Sequence, residues 1–341
     1  MGSPTTRSDG RPGAVLVTGG AGYIGSHAAK ALAAAGRPVV IYDNLSQGHR
    51  EATLGADLVV GDTRDAPLLR SVIATRGVTA VMHFAAWAAV GDSVRDPAGY
   101  YGNNVEGTLS LLRAMTEERV PSFIFSSTCA VFGEPQEVPL VESHPTRPIN
   151  AYGETKLAIE RALPHYERAY GIHSICLRYF NAAGADPDGE LGEDHRPEQH
   201  LIPLALEAVT SGVPLRVFGD DYPTPDGTCL RDYIHVTDLA AAHLLALEAL
   251  ERSPRSDVFN LGNGRPFSVG EVLQAVERVT GRPVPHTVAP RRPGDPAVLY
   301  ATNSRIQAEL GWAPRLADLD TMIATAWRWL QARPRKYQVA G

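Results

Sequence analysis

Short apolar runs alternate with helical stretches along the first half of the chain. The runs AVLVTGG (14–20), PVVIYDN (38–44), ADLVVGD (56–62), TAVMHFA (79–85), SFIFSST (122–128) and HSICLRYFN (173–181) each predict a buried strand. Between them, SHAAKALAAAG and VEGTLSLLRAMTEER carry apolar residues at helical spacing. This alternation builds βαβ units, and strands apolar on both sides imply a parallel sheet covered by helices on both faces. Past Asn181 the pattern changes. AAGADPDGELGEDHRPEQHLIP (182–203) is rich in Gly, Pro and acids and reads as long loops. Strand-like pieces follow at 215–219 and 231–236, then a helix over 237–251 and the strand VFNLG (258–262). Further helices are expected near 268–279, 303–310 and 317–333. The fold class expected is α/β, a doubly wound parallel sheet with a smaller C-terminal α/β substrate domain. Residues 13–181, with 233–262 returning to them, form the expected nucleotide-binding domain. Residues 182–232 and 263–335 form a second domain over its mouth, where doubly wound sheets bind ligands.

Composition narrows the class of partner. The 341 residues are 44% hydrophobic and 21% charged, enough for a large core. A net charge of −6 has no basic bias and argues against nucleic acid as a partner. Cys129, Cys176 and Cys229 lie far apart without metal-ligand spacing, as reduced thiols of a cytoplasmic protein would. The polar opening MGSPTTRSDGRPG lacks an apolar core and reads as a disordered tail over 1–12. No apolar run approaches the roughly 20 residues that span a bilayer, so no membrane partner is expected.

The candidate chemistry lies at the ends of the predicted strands. Gly19, Gly22 and Gly25 follow the first strand and open the first helix, where backbone N–H groups can meet a pyrophosphate. Asp43 closes the second strand, where a carboxylate accepts from a ribose 2′-hydroxyl and repels a 2′-phosphate. NAD is the expected cofactor of this Rossmann-type turn. Asp62 follows the third strand and reads either as an adenine contact or as a loop-capping acid. Ser126, Ser127 and Thr128 end the fifth strand. In AYGETK, Tyr152 and Lys156 stand four residues apart on one helical face. A phenol and an amine at that interval are ordinarily a solvated surface. Beside a dinucleotide site they form, with Thr128, an acid–base unit in which the ammonium favours the phenolate.

These stretches, together with DNLSQGHR, HFAAW, NNVEGT, FSSTCAVFG, LRYFNAAGA, HLIPLAL, DYPTPDGTCLRDYIHV and RRPGDPA, give the chain a marked likeness over about 14–329. It resembles the extended short-chain dehydrogenase/reductase superfamily and, within it, the UDP-glucose 4-epimerase (UDP-galactose 4-epimerase) family. The resemblance implies that Thr128, Tyr152 and Lys156 are catalytic. It implies that Gly19, Gly22, Tyr23, Ile24, Asp43, Asn44, Asp62, Phe84, Ala85, Asn103 and Tyr179 line NAD. Asn181, His200, Leu201, Phe218, Arg231, Arg292 and Asp295 would hold the UDP-sugar, with Leu299 bearing on acceptance of an N-acetyl group. Arg231 and Arg292 suit the substrate pyrophosphate. Four positions depart from the pattern: Ala88 where many relatives carry a lysine, His200 for asparagine, Phe132 for tyrosine, and Leu299 as an intermediate size.

The resemblance further implies interconversion of UDP-galactose and UDP-glucose and a homodimer pairing helices at about 97–118 and 152–170. A 4-epimerase of another UDP-sugar (UDP-GlcNAc, a UDP-pentose or a UDP-uronate) is the alternative. A 4,6-dehydratase would need Asp-Glu after the catalytic hydroxyl, where Cys129 and Ala130 stand. A non-catalytic dinucleotide sensor would have no use for a tuned phenol.

Overall fold

The computed structural model describes residues 13–292 and 295–332; the expected tail over 1–12 and residues 333–335 of the second domain lie outside them. Six strands run in chain order: β1 (Ala14–Thr18), β2 (Val39–Asp43), β3 (Asp57–Val60), β4 (Val78–His83), β5 (Ser122–Ser126) and β6 (His173–Arg178). They pair in the order β3-β2-β1-β4-β5-β6, and the strand Asp257–Asn260 adds to β6 as a seventh. Every pairing is parallel. The order reverses direction between β1 and β4, which opens the crevice that binds ligands in such sheets.

Alternation along the strands divides the core between the two faces. Val15 and Val17 join one apolar cluster with α1 (Tyr23–Ala34) and helix Val236–Arg252, through Ala28, Leu32, Leu239, Ala246 and Leu250. Ala14 and Leu16 join the opposite one with helices Ala66–Arg76, Gly107–Glu117 and Ala151–Tyr170. Burying this surface at roughly 25 cal/mol per Å2 dominates the stability of the layers. β3 departs from expectation. As an edge strand it leaves Asp57 and Val60 exposed instead of buried. Among the described residues no helix is long and apolar enough to cross a membrane.

A third cluster gathers helices Leu201–Ser211, Val269–Thr280 and Leu319–Ala332 around Ala205, Phe267, Val272 and Met322. Leu201–Ser211 begins inside the stretch expected to be loop. The expected strand 231–236 is two. Leu230–Arg231 pairs with Phe267–Ser268 and Val298–Leu299, whereas Tyr233–His235 pairs with Asn181–Ala183. Asp232 sits at the switch between the two sheets with no exposed surface. Its carboxylate accepts from the backbone N–H groups of Asn263 at 2.9 Å and Ala301 at 3.1 Å.

Burial raises the Asp232 carboxyl to about 7, opposed by those two N–H groups. In the unfolded chain it titrates near ~3.9. The folded state therefore binds the extra proton between those values, and its contribution to stability is present below pH ~4 and lost as pH rises through 7. Asp232→Asn carries no such titration. Urea midpoints measured at pH 5 and 8 should shift in the variant's favour, relative to the unsubstituted chain, at the higher pH.

Candidate active site

The first turn is shaped by close backbone approach. Gly19 has φ +72°, and a Cβ there would meet the Ala85 nitrogen at 2.5 Å. Gly22 caps α1 without a side chain, and the first turn of that helix contains no acid. With no side chain capping them, the first N–H groups of the helix can meet an anionic pyrophosphate. Asp43 ends β2 and is buried, accepting from Ala21 N at 3.0 Å and Leu45 N at 2.8 Å. Burial raises its carboxyl, against the pull of those two donors. Its remaining lone pairs suit a ribose hydroxyl. Asn44 reaches Asp62 at 3.2 Å. The Arg64 guanidinium grips Asp62 through two hydrogen bonds and holds it well below the usual carboxylate range. Tyr23 donates to Gly184 O at 2.6 Å, and Ile24 and Phe84 pack on the first cluster. Ala88 lies in the loop between β4 and helix Val90–Arg95, and no cation stands at its position.

Asn103 lies where helix 97–118 does not run as expected. A wide π-type turn spans Tyr101–Glu106 before the regular helix Gly107–Glu117. The wide turn aims Asn104 inward, where its amide bonds the Trp87 backbone and, at 3.1 Å, the Thr155 hydroxyl. The loop after β4 is thereby tied to the helix that carries Tyr152.

Asn150 caps that helix, accepting from Gly153 N at 2.9 Å. Thr128 caps the short turn Cys129–Phe132 after β5, so hydroxyl and phenol meet where β5 ends. Burial raises Tyr152 to about 12, while a hydrogen bond from Thr128 pulls the other way. Lys156 is buried, with Nζ donating to Ser126 O at 2.8 Å and lying 6.0 Å from the Tyr152 ring centroid. Burial lowers the amine to about 7, opposed by Glu160. Burial thus acts on the phenol in the direction opposite to that expected of the ammonium. Both groups are desolvated, and each is pushed toward its neutral form. Tyr179, on the other side of β5, bonds Ser126 Oγ at 2.6 Å.

On the substrate side the Arg292 guanidinium stacks on the Phe218 ring, 4.0 Å from its centroid. Arg231 pairs with Asp295, so these two sites act as one. Asn181 donates to Asp232 O at 2.8 Å. Leu299 is half-buried and packs on Cys129, Phe132 and Leu157 behind Thr128, while Leu201 turns into the third cluster. Phe132 is fully buried, with the Arg178 guanidinium 4.9 Å from its ring centroid, and is a core residue. His200 is engaged by Glu193 at 2.7 Å and Glu198 at 3.3 Å. One cleft of about 700 Å3 is walled by 134–138 and by Arg291, Arg292, Asp295 and Val298; it reaches Arg292 and Asp295 but neither Arg231 nor Tyr152.

A profile of the NAD dependent epimerase/dehydratase family matches residues 15–262. A UDP-glucose 4-epimerase of Halalkalibacterium halodurans is 51% identical over 325 residues, covering 95% of this chain and 97% of that protein. The chain belongs to this family. The UDP-glucose 4-epimerase of Brucella ovis, solved in complex with NAD, superposes with a TM-score of 0.91 at 52% identity, covering 92% of this chain and 97% of that one. The enzyme of Bifidobacterium longum, solved with NAD+ and UDP, gives a TM-score of 0.90 at 39% identity, covering 95% of this chain and all of that one.

Behind the reacting groups this epimerase-family chain carries a buried network that the motifs do not name. Glu160 accepts from Ser127 Oγ at 2.5 Å and from Arg178 Nε at 3.0 Å and Nη2 at 2.5 Å. Its spacing, one turn past Lys156 and two past Tyr152, is visible in YGETKLAIE. Its partners, on β6 and at the end of β5, are not. Glu160→Gln leaves the Arg178 charge buried and unpaired, and should cost about 3–5 kcal/mol of stability in urea unfolding. Arg178→Met together with Glu160→Gln should recover part of that loss.

Proposed function

We propose that the protein interconverts UDP-galactose and UDP-glucose through a 4-keto sugar, using NAD that stays bound. The observation that carries this reading is the union of Thr128, Tyr152 and Lys156 at the carboxyl edge of the sheet, beside an open glycine turn. When bound, NAD supplies a hydride acceptor that returns what it takes, and a positive charge while oxidised. The glycine turn, Tyr23, Ile24, Asp43, Asn44, Asp62, Phe84, Ala85, Asn103 and Tyr179 hold it in residues 13–181, with 233–262 completing that domain. Residues 182–232 and 263–335 hold the UDP-sugar. Phe218 supports the Arg292 guanidinium on its ring, and Arg231 and Arg292 meet the diphosphate. Asp295 orients Arg231, while Asn181, Leu201 and Leu299 bound the path of the sugar. His200 stands at the head of helix Leu201–Ser211 beside that path.

Tyr152 takes the proton of the sugar 4-hydroxyl as hydride leaves C4, and gives it back after the keto sugar has turned over about its diphosphate link. Thr128 holds the phenol oxygen by its hydrogen bond. Lys156, fixed by Ser126 O, supplies protons and field from behind the phenol. Firm anchorage at UDP and a loose hold on the sugar suit a reaction that presents both faces of one carbon. Buried free thiols at Cys129, Cys176 and Cys229 accord with a cytoplasmic setting.

Purified protein carrying its NAD tests the mechanism. Tyr152→Phe should lower turnover of UDP-galactose by about 10²–10⁴-fold while NAD and UDP still bind. Thr128→Ser should be mild. Thr128→Val should be severe and should move the pH profile upward, because the hydrogen bond that lowers Tyr152 is gone. Near-normal turnover by Tyr152→Phe would reject the proposed base.

Exposed Tyr101, Leu109 and Tyr170, on the two helical segments named above, support a homodimer closed across a four-helix interface. Light scattering at micromolar concentration should return twice the chain mass, and Leu109→Glu should return the mass of one chain. A single-chain mass for the unsubstituted protein rejects the pairing.

A further inference from the structure

Two groups of converging acids and imidazoles occur among the described residues. In one, Asp186, Asp188 and Glu190 close on Lys30 Nζ at 2.8, 3.1 and 2.8 Å, so the protein supplies its own cation. The other joins Glu193, His195, Glu198 and His200, whose ligand atoms all lie within 4.8 Å of one another, with no lysine or arginine at their centre. We infer that these four side chains form a closed site for a divalent ion of the zinc class, which pins the 191–200 loop beside the cofactor turn. This inference does not depend on the sugar proposed above.

The four donor atoms converge closely enough to share one ion. The Nδ1 atoms of His200 and His195 lie 2.7 and 3.1 Å from Glu193 Oε1, and 3.3 and 3.8 Å from Glu198 Oε1. Four donors bound at about 2.0–2.2 Å in a tetrahedron stand about 3.3–3.6 Å apart, so uptake of an ion would widen the 2.7 Å His200–Glu193 pair and tighten the 3.8 Å His195–Glu198 one. Glu193 is more than nine-tenths buried, yet its Oε1 and the His195 Nδ1 find no hydrogen bond of acceptable direction. The two imidazole planes, inclined at 51°, are not stacked. Two carboxylates also balance the charge of a divalent ion, and the mixed imidazole–carboxylate set suits zinc over magnesium or calcium.

Four protein ligands leave no open position, which marks a structural ion and not a catalytic one. The surroundings say what it would hold. The His195 ring meets Tyr23, the first residue of α1, edge-on at 6.3 Å. Glu193 O accepts from Trp329 Nε1 at 3.0 Å, and His200 opens helix Leu201–Ser211. One ion would therefore join the loop, the cofactor turn and the third cluster.

The test uses full-length protein without a histidine tag, stripped by chelator and dialysed. Zinc added back should bind at about one ion per chain and raise the thermal midpoint, and His195→Asn and Glu198→Gln should each weaken uptake at least tenfold. Cobalt bound by the unsubstituted chain should show the intense visible bands of a tetrahedral site, a readout that needs no variant to fold. Weak octahedral cobalt bands, or equal zinc uptake by the variants, would mean adventitious metal on a salt-bridged cluster and would overturn the inference.

Discussion

One buried carboxylate holds the reacting groups in register. Glu160 faces inward from the helix that carries Tyr152 and Lys156, and it binds both the end of β5, through Ser127, and β6, through Arg178. Ser127 precedes Thr128, so the same acid that anchors the helix also anchors the strand bearing the hydroxyl. A buried ion pair adds little net stability over apolar packing, but breaking it by half is costly. Its value here is position. Thr128 and Tyr152 come from elements far apart in the chain, and Glu160 removes the freedom by which they could drift.

The same burial that fixes these groups decides their protonation. Desolvation drives the phenol up to about 12 and the amine down to about 7, so burial disfavours the charged form of each. His83, on the next strand, is lowered to about 3 by burial and by the charge that Lys156 carries when protonated, and it bridges Thr18 and Thr108. At this depth a charge that arrives with a ligand acts strongly, because low-dielectric surroundings screen it little.

Asp232 performs a comparable task for the second half. The chain changes sheets at this residue, and a change of direction leaves backbone N–H groups of Asn263 and Ala301 without strand partners. The carboxylate satisfies both. The turn can therefore be buried, which carries Arg231 outward toward Asp295 while Tyr233 enters the third cluster.

The sequence by itself determined the parallel sheet, because continuous apolar runs separated by helical stretches admit few other packings. It also determined the glycine turn and the Tyr152–Lys156 face, since both depend on spacing within one element. Helix ends at 268–279 and 303–310 were legible for the same reason; Ser268 and Glu271 form a capping box that the local sequence encodes. Tertiary structure alone decided what depends on distant partners. Nothing local in LRDYIHV shows that it is two strands, because the break serves Asn263 and Ala301, 31 and 69 residues further on. The direction of the Tyr152 and Lys156 shifts was hidden for a related reason. Spacing reveals the neighbour, but desolvation is a property of everything packed around the pair, and it outweighs the neighbour here.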